Sequence, residues 1–105
     1  MKGALGQIMR QAQQAQEAMK RVQEEIARAE ITGEAGGGMV KITLTGKHEA
    51  KKVEIAPDAL QESKDFLEDL IAAAINDASQ KLERNAQEKM AKVAGGLNLP
   101  AGFGL

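Results

Sequence analysis

Seven cations carry the clearest chemistry in this chain: Arg10, Lys20 and Arg21 near its start, and Lys81, Arg84, Lys89 and Lys92 near its end. Lysine and arginine side chains with no aromatic partners among them neutralise phosphates and release counterions without reading bases. The plainer use of the same residues is as solvated helix positions paired with glutamate four places away, as Glu17 with Arg21 or Glu88 with Lys92. Other chemistries fail on residue type. There is no cysteine and only one histidine, His48, which removes disulfides, cysteine zinc sites, thiol catalysis and histidine-rich metal sites. Paired acids such as Glu24-Glu25 and Glu68-Asp69 diverge around a helix, and nothing supplies a nucleophile with a positioned base. No enzymatic activity, metal or cofactor is expected. Phe66 and Phe103 are the only aromatic residues, so a stacking platform for unpaired bases is missing.

A formal net charge of -1 hides an alternation along the chain. Up to residue 23, Lys2, Arg10, Lys20 and Arg21 outweigh Glu17; Glu24, Glu25, Glu30 and Glu34 then outweigh Arg28. Lys41, Lys47, Lys51 and Lys52 restore positive charge, and the stretch from Glu54 to Asp77 is strongly acidic, with Lys64 its one cation. From residue 78 the chain is basic again. Both outer ends are therefore basic, a distribution that suits a polyanion although the net charge does not.

Two long helices and a small sheet must position these cations. From Leu5 to Ala29 apolar residues follow a seven-residue repeat, with Leu5, Ala12, Met19 and Ile26 at one position and Ile8, Ala15, Val22 and Ala29 at the other. This is a coiled-coil seam. A helix of about 25 residues is roughly 37 Å long, whereas a compact domain of this size has a radius of gyration near 13 Å, so part of it must project. The second helix is predicted from an N-cap at Ser63, with Asp65 in its first turn, to a stop at Gly95-Gly96. Within it, residues 70–75 are apolar nearly all round. Leu70, Ile71, Ala74, Ile75 and Ala78 are therefore candidates for a dimer interface, the alternative being burial by the chain's own sheet.

Between the helices lie three predicted strands, Glu30 to Glu34, Met39 to Thr45 and Ala50 to Ile55. In the second, Val40, Ile42 and Leu44 face one side, and Met39, Lys41, Thr43 and Thr45 the other. Gly36-Gly37-Gly38 and Gly46-Lys47 supply the turns. A strand rather than a helix follows the three glycines, which favours a hairpin over a phosphate loop. Ala56-Pro57-Asp58 breaks the third strand, and Asp58 is placed to cap a short turn. The fold class is α+β: a helix, a three-stranded antiparallel sheet and a helix, in one domain over residues 1–105, with 95–105 as a tail whose Leu97, Leu99 and Phe103 either fold back or stay loose. No 18-residue apolar run or secretory leader is read, so the expected location is the cytoplasm, without membrane contact.

Four blocks in this order, QAQQAQEAM at 11–19, TGEAGGGMVKITLTG at 32–46, EDLIAAAINDA at 68–78 and LPAGF at 99–103, resemble the YbaB/EbfC family of nucleoid-associated proteins over nearly the whole length. The resemblance implies a small cytoplasmic homodimer whose sheets join at the centre while paired helices extend like tweezers, and which binds double-stranded DNA at the nucleoid. It also implies a possible link to replication or recombination proteins, some members being encoded beside them. It transfers no individual residue as a DNA contact. The rival reading is a dimeric adaptor, in which the acidic 54–77 segment and apolar helix faces dock a replication or recombination protein. DNA binding predicts affinity that collapses with salt; an adaptor predicts a specific protein partner instead.

Overall fold

A computed structural model describes residues 2–96. It runs through α1 (Lys2–Arg28), β1 (Glu30–Ala35), β2 (Val40–Thr45), β3 (Ala50–Ile55), a 3-10 turn (Pro57–Gln61) and α2 (Lys64–Gly96). This is the α+β order read from the sequence. The expectations for Leu97, Leu99, Phe103 and the LPAGF block lie outside the described residues.

Local chemistry accounts for the element ends. Ser63 Oγ accepts the N–H of Phe66 at 3.1 Å, capping α2. Gly95 and Gly96, expected as the stop, are themselves helical. The cap expected of Asp58 is not there: Ala56 holds the N-cap position of the 3-10 turn without a side-chain bond. Pro57 enters with its φ already fixed, which removes the need for a side-chain cap, and Asp58 sits in the first turn. At the β1–β2 turn Gly36, Gly37 and Gly38 take φ of 64°, 66° and 94°. Left-handed φ is strained for a residue with a Cβ, and a Cβ at Gly36 would also press on the Leu70 side chain, which favours glycine in this turn.

The sheet is antiparallel in the order β1-β2-β3. Register pairs Thr32 with Thr43, whose hydroxyls bond at 2.7 Å, and Ile42 with Gly33 on one side and Val53 on the other. Val40, Ile42 and Leu44 are buried, as the alternation requires; Met39, outside the strand, turns inward and packs partly on the core. On the helix side, Leu70, Ala74, Ala78 and Leu82 form the row that meets them. The small residues in that row allow unusually close contact: a Cβ on Gly33 would overlap the backbone of Ala74 and Ala78. Helix and strand backbones therefore touch there.

α2 lies over β1 and β2. At the other end of the sheet, Gly46 fits against the backbone of Ile26 and Ala27, and its N–H bonds the Ala29 carbonyl at 2.9 Å. Beyond this anchor the helices leave the sheet. The radius of gyration is 20.0 Å and the longest extent 74 Å, against about 13 Å for a compact chain of this length; the projection expected of α1 is present.

Candidate nucleic-acid interface

The outer portions of α1 and α2 form an arm. Ile26 shares a groove with Leu82 and Ala86 of α2 and with Gly46 and His48 of the β2–β3 turn. Val22 is buried, and Ala15, Ala18 and Met19 on α1 are half-buried, as are Met90, Val93 and Ala94 on α2. The heptad seam expected from the sequence is thus occupied by α2 over its inner part.

On this arm the seven candidate cations divide. Arg10, Lys20, Arg21, Arg84 and Lys92 are exposed, and Lys89 is half-buried. None of these six takes part in an ion pair among the described residues; the pairs Glu17–Arg21 and Glu88–Lys92, each possible by spacing, are not formed. Lys81 differs. Its Nζ lies 2.8 Å from Asp77 Oδ2, and the same oxygen accepts the backbone N–H of Glu34 at 2.9 Å. The Lys81 hydrogen bond, then the Glu34 N–H, hold the Asp77 carboxyl below its ordinary pKa of 3.8. Asp77 thereby ties α2 to the open edge of β1. In the sequence Asp77 closes the acidic stretch on the second helix, and nothing in its spacing announces a contact to a backbone N–H on β1.

The lysines of the sheet are arranged otherwise. A register shift between Thr43 and Leu44 brings Lys51 as well as Lys52 to the outer face, where they share a shallow depression with Glu30, Thr32 and Thr43. Lys51 binds Glu30, and Lys52 lies 3.4 Å from Glu54. Lys41 stands in register between Glu34 and Glu54. That face presents three lysines interleaved with three glutamates. His48 is exposed in the β2–β3 turn, with φ of 66°.

The five candidate interface residues also divide. Leu70, Ala74 and Ala78 are buried by the chain's own sheet. Ile71 is half-buried at the edge of that core, and Ile75 is 42 % exposed. These two lie on the side of α2 that faces β2 and β3: Ser79 and Ala86, further along the same side, meet Gly46 and His48, whereas Asp77 on the opposite side reaches β1. Val53 and Ile55 pair with Ile42 and Val40 and share their face, but α2 leaves them 53 % and 37 % exposed. The sequence did not single out this pair, although Val and Ile alternating on a short third strand were the available signal.

No helix among the described residues is long and apolar enough to cross a membrane. The model of the YbaB/EbfC DNA-binding family matches residues 1–97. The fold is similar to the crystal structure of an uncharacterized Helicobacter pylori protein, HP0035, with a TM-score of 0.62 and 22 % identity, covering 84 % of this chain and 90 % of that one.

Proposed function

Because the chain belongs to the YbaB/EbfC DNA-binding family, we propose that it binds duplex DNA at the nucleoid as a homodimer, through phosphate contacts from Arg10, Lys20, Arg21, Arg84, Lys89 and Lys92. The observation that carries this reading is the contrast in pairing. These six cations have no carboxylate partner among the described ion pairs, while Lys51, Lys52 and Lys81 are each engaged within the chain. An unpaired cation on a projecting helix is free to exchange its counterions for phosphate. No aromatic side chain accompanies these cations, and phosphate contacts carry no sequence information of their own, so binding tolerates sequence.

The dimer forms over the apolar surface that α2 leaves open: Val53 and Ile55 on β3 with Ile71 and Ile75 on α2. Two such surfaces meeting around a two-fold axis cover each other and send out two arms per dimer. Sedimentation equilibrium should give the dimer mass. Ile75→Glu, which alters an exposed residue and spares the core, should halve it while helicity is kept, because an unpaired charge in a buried interface costs several kcal/mol. An unchanged mass would place the interface elsewhere.

DNA binding itself is tested by titrating a random-sequence duplex at several salt concentrations. If about six phosphates are engaged, log affinity falls against log salt with a slope near -5. A second reading has its own observation: Leu60 and Phe66 are exposed beside Asp58, Glu62, Asp65 and Asp69, a surface suited to docking a basic protein of replication or recombination. Absence of duplex binding even at low salt would favour that adaptor.

A further inference from the structure

The outer part of α1 carries an apolar stripe that α2 does not reach. Leu5, Ile8 and Met9 are 62 %, 61 % and 59 % exposed, and Ala15 is the outermost seam residue that is even half-buried. The cause is length. From the level where Ile26 shares a groove with Leu82 and Ala86, α1 continues outward for about 36 Å to Lys2, but the described part of α2 for only about 15–20 Å to Gly96. Leu5, Ile8 and Ala12 nevertheless keep the heptad phase of the inner seam of Ala15, Met19, Val22 and Ile26.

The flanks of this stripe select what covers it. The positions bordering the seam are Ala4, Met9, Gln11 and Gln16, and the one charge between Gly3 and Gln16 is Arg10, on the far side of the helix. A surface for phosphate would place cations on this face. A membrane-seeking helix would carry lysines, arginines and aromatic anchors. An uncharged border suits a partner with the same uncharged border, because flanking charges are what ordinarily set the choice and orientation of helical partners.

We propose that the tip of α1 docks against the tip of α1 from a second copy, antiparallel about a two-fold axis, with Ile8 facing Ile8 and each Leu5 facing Ala12 of the other chain. Large residues then meet small ones, Arg10 points away from the contact, and the helix dipoles oppose. Each tip offers only a few turns, so the contact buries less than the roughly 1,000 Å² that a stable interface needs. It forms when copies are concentrated, as on a shared duplex. With two arms per dimer, a reading taken from the proposed function, tip contacts link dimers into chains and hold DNA segments together.

The full chain supplies the test. It has no cysteine, so Ile8→Cys places its only thiol at the contact. Oxidation should link these tips about ten-fold faster than it links Lys41→Cys, whose thiol lies on the outer face of the sheet, because docked tips raise the effective thiol concentration. Leu5→Gln with Ile8→Gln, which adds no charge and keeps helix propensity, should abolish the rise of sedimentation mass with concentration expected of the unaltered chain, while affinity for a short duplex stays unchanged. Equal linking rates, or identical mass curves for the unaltered chain and the glutamine variant, would overturn the proposal; a stripe covered by residues 97–105 or by DNA gives that result. The dimer is judged separately, by Ile75→Glu. If that variant leaves the mass of the smallest species unchanged, the dimer surface is wrong, and the ratio of linking rates still decides the tip contact.

Discussion

On the outer face of the sheet Lys51 reaches Glu30 and Lys52 reaches Glu54, whereas on the arm Lys20, Arg21, Arg84, Lys89 and Lys92 stand outside every described ion pair. The sheet face holds three lysines and the arm seven candidate lysines and arginines. They differ in where the acids are. On the sheet Lys51 of β3 reaches across β2 to Glu30 of β1, and Lys52 meets Glu54 two residues along its own strand. Lys41 stands in register between Glu34 and Glu54, so the outer face carries three lysines against three glutamates. Farther out on the arm Glu17 and Glu88 are spaced at four residues from Arg21 and Lys92 but do not close on them, whereas nearer the sheet Glu24 pairs with Arg28 and Asp77 with Lys81. Local concentration of lysine is therefore a poor guide to a phosphate surface; the better guide is lysine whose charge the fold has not already answered.

The largest effect should come from removing that unanswered charge. Replacing Arg10, Lys20, Arg21, Arg84, Lys89 and Lys92 together by Gln is expected to weaken duplex binding at low salt by about 100-fold or more and to flatten the salt slope, since six phosphate contacts vanish. Replacing Lys51 and Lys52 by Gln should change affinity by no more than about three-fold, because screened, already paired surface charges contribute little. Fluorescence anisotropy on one duplex compares both. If the sheet variant loses as much as the arm variant, the comparison is inverted and the phosphate surface lies on the sheet.

Next in size is the contact that lets the sheet hold the arms. Gly33→Ala forces a methyl group into the backbone of Ala74 and Ala78, and overpacking of this kind costs about 1–3 kcal/mol. Urea denaturation followed by circular dichroism should show the loss. A variant as stable as the unaltered chain would mean that α2 lifts from β1 without penalty.

The smallest effect sharpens the boundary between the two regions. Asp77→Asn releases Lys81, which should then join the phosphate contacts and steepen the salt slope by about one unit. The same change removes a linkage to pH. The carboxyl pKa of Asp77 is lowered by folding, so its stabilisation is complete above the unfolded value and is lost as pH falls through the folded one. Thermal melts should therefore separate the two proteins at neutral pH and bring them together in strong acid. A gap that does not depend on pH would assign the effect to packing rather than charge.

The sequence carries the elements well because each is set locally. Alternation in β2, three glycines at positive φ, and the Ser63 cap are short-range signals, and the observed elements follow them. Asp77 and Gly33 escaped because their partners, the Glu34 N–H and the Ala78 backbone, become neighbours only after α2 lies on β1. The run from Leu70 to Ile75 shows the same limit. A stretch apolar on all sides cannot state which side its own sheet will take, and only the packed register separates Leu70 and Ala74, inside, from Ile75, outside. The candidate cations were legible as residues but their freedom was not, since i to i+4 spacing permits pairing without requiring it.

The anchor at Gly46 has a mechanical consequence. Because Gly46 seats against Ile26 and Ala27 and α1 then runs outward for about 36 Å, the arm behaves as a lever with its fulcrum at one glycine. A rotation of about 5° there carries the far end of α1 through about 3 Å on that lever length. In the dimer proposed above, the opening between two such arms would change through angles too small to disturb the packing of Val40, Ile42 and Leu44, and one unchanged sheet would serve duplexes of different groove width or curvature.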